Sequence, residues 1–63
     1  MKKVWKVYGR TPGNETLLIT TLPTQSDAMK EKIALLKYHY WQYVQVWFEE
    51  TEIFEEEFEN LFG

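Results

Sequence analysis

Apolar and polar side chains follow two periods along this chain, in five segments. From Lys3 to Gly9 the period is two: Trp5 and Val7 share one face, and Val4, Lys6 and Tyr8 share the other. That alternation, rich in β-branched and aromatic residues, predicts a strand over about 3–9. Thr11-Pro12-Gly13-Asn14 follows. Pro-Gly suits the central positions of a type II turn, because proline presets φ and glycine accepts a positive φ. Thr16 to Leu22 then reads as a second strand, closing a hairpin, and Pro23 ends it because proline has no N–H for a ladder.

Thr24 opens a helix, with Asp27 three residues after the capping hydroxyl. Met29, Ile33, Leu36 and Tyr40 follow helical spacing, widened by Ala28 and Leu35, which predicts a helix over about 25–39 packed by that stripe. Alternation returns at Tyr43 and predicts a third strand over 43–49. Val44, Val46 and Phe48 are expected under the helix, with Tyr43 and Trp47 facing the other way. Thr51 is the expected cap of a second helix over about 52–62, whose apolar stripe is Phe54, Phe58, Leu61 and Phe62. The predicted order is β-β-α-β-α, an α+β fold. A right-handed crossover past one strand gives a three-stranded antiparallel sheet of order 2-1-3. Large residues lie on both faces of every strand, so the face opposite the first helix also needs a cover. The C-terminal helix and a second copy of the chain are the two expected covers.

Length sharpens that need. Sixty-three residues make one small domain, and a chain of that size buries only about 60% of its unfolded surface. Such scaffolds rely on disulfides, a metal, dense packing or a partner. Cysteine is absent and His39 is the only histidine, so no disulfide, metal or cofactor is expected. Eleven residues are Phe, Trp or Tyr, which leaves aromatic packing and oligomerisation as the available means.

Charge is divided along the chain. All seven Lys and Arg precede Tyr38, while seven of the ten acids follow it, so the first 37 residues carry +4 and the last 26 carry −7. Met1-Lys2-Lys3 leads into no apolar run, so no signal peptide is expected. No apolar stretch reaches the roughly 20 residues of a membrane span. With cysteine absent, a cytoplasmic location is the expectation.

Candidate chemistry is sparse. Ser26, the only serine, sits at the helix cap, and His39 sits at the helix end. The glutamates crowd a solvated helix face without the shaped loop that a hard cation needs. Neither an enzyme nor a metal site is expected. The dense acidic row at Glu52, Glu55, Glu56, Glu57 and Glu59 can steer the chain to a basic surface on a protein partner. Tyr43, Trp47, Phe54, Phe58 and Phe62 are the expected aromatic contacts with a partner or a second copy. A competing reading is a single-stranded nucleic-acid binder using Trp5, Tyr8, Lys3, Lys6 and Arg10. The net negative charge and the adjacent glutamates argue against it. A third reading is a structural subunit of an assembly. A membrane-surface helix fails on sign, since such helices carry Lys and Arg on the polar face.

Lys6-Val7-Tyr8-Gly9 before a hairpin, Leu18-Ile19-Thr20-Thr21-Leu22, the helix start Thr24 to Ala28, and Val44-Gln45-Val46-Trp47 together resemble small accessory proteins of bacteriophages and prophages. The resemblance covers Lys3 to about Glu50. It implies a protein that binds and blocks a host protein, often as a homodimer.

Overall fold

A computed structural model describes all 63 residues. In chain order the elements are β1 (Lys2–Arg10), β2 (Thr16–Leu22), α1 (Gln25–Tyr38), β3 (Gln45–Ile53) and α2 (Glu55–Phe62). The strands form one antiparallel sheet of order β2-β1-β3, so the α+β class, the element order and the strand order are those expected.

The hairpin turn uses its residues differently from the expectation. Asn14 N–H donates to the Thr11 carbonyl at 2.9 Å, which places Pro12 and Gly13 centrally. No glycine has a positive φ; Asn14 has, at 67°. The left-handed residue thus follows the turn, as in hairpins where a type I turn is succeeded by an αL position, and asparagine tolerates that region. Thr11 and Glu15 close the loop: Thr11 N–H donates to the Glu15 carbonyl, and Glu15 N–H donates to Thr11 Oγ1 at 3.2 Å.

β1 and β3 pair without interruption from Lys2↔Ile53 to Arg10↔Gln45. Register therefore assigns the faces. Trp5, Val7 and Gly9 lie with Val46 and Phe48 on the first face. Lys2, Val4, Lys6, Tyr8 and Arg10 lie with Gln45, Trp47, Glu49, Thr51 and Ile53 on the second. β2 joins at Trp5↔Leu22 and carries a bulge at Ile19, where the pairing shifts between Val7 and Tyr8.

α1 covers the first face. Val7, Val46, Ala28 and Leu35 are the buried cluster, bordered by Trp5, Ile19, Leu22, Tyr43 and Phe48. The expected helix stripe is corrected here. Ala28 and Leu35 face the sheet, whereas Met29, Ile33, Leu36 and Tyr40 are exposed. The sheet supplies the bulk at this interface, so the helix approaches it through its smallest side chain. Thr24 Oγ1 accepts from Asp27 N–H at 3.1 Å, as the capping pattern predicts. Thr24→Ala should lower stability by about 1 kcal/mol in chemical denaturation.

Strand three starts and ends later than the 43–49 expected. The chain bends at Val44, whose N–H donates to the Arg10 carbonyl at 2.8 Å. The bend breaks the alternation of Tyr43 and Val44 with the strand that follows. Val44 is exposed, and Tyr43 turns to the first face over Gly9. At the other end Glu50, Thr51, Glu52 and Ile53 remain extended because β1 continues opposite them as far as Lys2. Thr51 is thus a strand residue and caps nothing. α2 begins at Glu55 behind Phe54, which gives no side-chain cap. Glu55, Glu56 and Glu57 in its first turn suit the helix dipole.

Gly9 is buried for a steric reason. A Cβ there would stand 2.6 Å from the Tyr43 ring and 2.8 Å from Ile19 Cδ1. Gly9→Ala should therefore shift Tyr43 and lower stability by about 1–3 kcal/mol, as overpacking does elsewhere; a urea midpoint equal to wild type would contradict this packing.

Candidate interaction site

Past Trp5 the sheet loses β2 and narrows to a two-stranded ribbon, Lys2–Val4 against Thr51–Ile53. α2 hangs from its end, and the molecule is drawn out to 36 × 21 × 16 Å. Val4 and Ile53 are buried on the second face, outside the main cluster. Neither α1 nor β2 reaches them there, which leaves α2 as their cover. Phe58 is half-buried and its ring centroid lies 5.8 Å from Lys2 Nζ, on that same face. The Phe62 ring is 5.0 Å from Phe58.

The C-terminal helix thus covers one end of the second face, and only part of its expected stripe does so. No α2 residue is fully buried. Phe54 is 69% exposed and Leu61 56% exposed. Four of the five predicted carboxylates, Glu55, Glu56, Glu57 and Glu59, are exposed on α2. Glu52 is not with them: it lies on β3 opposite Lys3, on the first face. No group of three acidic or histidine side chains is close enough to share a metal ion.

The other end of the second face is open. Tyr8 and Trp47 are cross-strand partners stacked at 5.8 Å, and the Arg10 guanidinium lies 5.7 Å from the Trp47 ring centroid. Lys6 faces Glu49 directly across the ladder. The five residues of the nucleic-acid reading are therefore divided. Tyr8, Lys6 and Arg10 share the second face. Trp5 borders the core under α1, and Lys3 lies on that same side with Nζ 3.4 Å from Glu50. That ion pair is well exposed and contributes little to stability. Of the predicted aromatic contacts, Trp47 is on the open face, Phe54 and Phe62 are exposed on α2, Phe58 is half-used by its own ribbon, and Tyr43 belongs to the core border.

A third exposed feature escaped sequence reading, because the residues that form it were assigned to the core. Met29, Ile33 and Leu36 make an exposed stripe on the outer flank of α1, and Tyr40 and Trp41 beyond its end are exposed as well. Trp41 packs edge-on against Tyr40 at 5.3 Å and near His39 at 5.8 Å. The available signal was Ala28. A small residue seven positions before Leu35 marks a second helix face that can come close to a sheet, and the wheel could not rank the two faces by hydrophobicity alone.

The structure holds no pocket. No protein-family model, curated protein or solved structure matches this chain.

Proposed function

We propose that this chain is a non-enzymatic protein-interaction module that works as a homodimer, and that its interacting element is the α2 arm. The role is that of a small inhibitor or adaptor, the kind of work its resemblance to phage accessory proteins implies. The observation that carries this reading is the state of α2. Its carboxylates and three of the four residues of its apolar stripe are left exposed on a narrow ribbon that projects from the sheet. Apolar contact supplies affinity, while the glutamates steer the arm toward a basic surface and reject an acidic one. Seven buried residues in 63, with thirteen large apolar side chains exposed, fit a chain that completes its burial against another protein.

The test changes Glu55, Glu56, Glu57 and Glu59 together to Gln and compares partner capture from the native host with wild type over a salt series. Loss of capture, and loss of its salt dependence, is the expected result. Partners retained with unchanged salt dependence would contradict the charge argument.

A second reading is favoured by one observation: the Arg10–Trp47–Tyr8 stack on an open sheet face. It would bind single-stranded nucleic acid by stacking and phosphate contact. Titration with DNA and RNA oligonucleotides at low salt decides it. Tryptophan quenching that is steeply salt-dependent and vanishes in Trp47→Phe would support it, and a flat titration would remove it.

A further inference from the structure

The two bare helix faces of this molecule are complementary to each other. On α1, Met29, Ile33 and Leu36 form an apolar stripe that is 43%, 56% and 43% exposed. At about 100° per residue, Lys32 borders that stripe on one side and Lys30 and Lys37 on the other. The two acids of α1, Asp27 and Glu31, fall on the opposite side of the helix. The stripe is therefore apolar between lysines. At α2, the cap residue Phe54 and helix residues Leu61 and Phe62 are exposed, with Glu57 bordering the apolar face on one side and Glu55 and Glu59 on the other. That stripe is apolar between glutamates.

Within one chain the two cannot meet. α1 lies on the first face of the sheet, while α2 covers the second face at the far end of the ribbon. A second copy can satisfy both at once, because in a two-fold dimer each α1 receives the other's α2. We propose that the chain forms a homodimer in which the α2 arm of each protomer lies along the Met29–Ile33–Leu36 stripe of its partner, Phe54 and Leu61 entering the apolar seam and Glu55 and Glu57 facing the lysines. This rests on the reading of α2 as the interacting element and names the surface that holds the arm in the dimer, with which a host protein's basic surface competes. Self-pairing of like helices is disfavoured by the same charges: α2 against α2 sets glutamate against glutamate, and α1 against α1 sets lysine against lysine.

A charge exchange tests the contact on the full chain. Lys30→Glu with Lys37→Glu makes one variant, and Glu55→Lys with Glu57→Lys makes another. All four positions are exposed, so both variants should keep the wild-type circular dichroism. Each alone should sediment as a monomer at concentrations where wild type is a dimer, its dissociation constant raised at least tenfold. Mixed one to one they should form a heterodimer, since the exchange restores opposite charges at both reciprocal contacts. Two controls separate this from loose attraction between oppositely changed chains. Moderate salt should leave the heterodimer in place, and Ile33→Ser in the first variant should abolish it. Variants that each dimerise like wild type, or a mixture that stays monomeric, would overturn the proposal. A wild type that dimerises but ignores the charge exchange would overturn this contact while leaving the interaction reading intact.

Discussion

Leu35→Ala should remove about 2–5 kcal/mol of folding stability, while the same change at its neighbour Leu36 should remove no more than about 1 kcal/mol at protomer concentrations too low for association. Leu35 is 7% exposed and packs with Val7, Val46 and Ala28. Its truncation leaves a cavity between helix and sheet that the surrounding aromatics cannot close without moving. Leu36 is 43% exposed, so its removal loses little within the protomer. A 63-residue domain at about 0.05–0.15 kcal/mol per residue holds only about 3–9 kcal/mol in total. Leu35→Ala therefore brings the chain close to unfolding at room temperature, and a urea titration of both variants reads the contrast directly. Equal losses would mean that the helix packs through the broader stripe. Leu36→Ala should declare itself elsewhere, as weaker self-association.

Removal of residues 54–63 is the second large effect. It uncovers Val4 and Ile53 on the second face of the ribbon. Full burial of such a side chain is worth about 1.5–3 kcal/mol, and loss of even half of that at both positions removes about 1.5–3 kcal/mol from the same small total. The shortened chain should lose its cooperative thermal transition or aggregate through the uncovered face. If it stays soluble with a wild-type transition, α2 contributes nothing to the fold and Phe58 is not a cover. Phe58→Ala refines the point, since it should reproduce much of the loss while leaving the carboxylates of α2 in place.

Most of the fold was legible in the sequence, and the failures share a cause. Strand period, the Thr24 cap and the crossover rule gave the element order and the strand order, because each is a local property or a rule of chirality. The boundaries of β3 were not local. Its end at Ile53 depends on β1 continuing as far as Lys2, and its start after Val44 depends on a bend bonded to Arg10. Alternation alone extended the strand backwards through Tyr43 and stopped it at the first glutamates. The face of α1 was misread because hydrophobicity favours Met29, Ile33 and Leu36, whereas close approach to an aromatic-filled sheet favours Ala28. That error hid the most informative surface of the molecule. Of the acidic row, four residues were placed correctly on α2; Glu52 was not, since one residue type can continue a strand or start a helix according to what lies opposite it.

The central claim is that the bare helix faces exist to be covered by protein. Sedimentation equilibrium of the unmodified chain, from low micromolar to high micromolar concentration at moderate salt, tests it most directly. A monomer–dimer equilibrium with no larger species is the predicted result, shifted toward monomer by Leu36→Ala. A single species of 7.6 kDa across the whole range would contradict it.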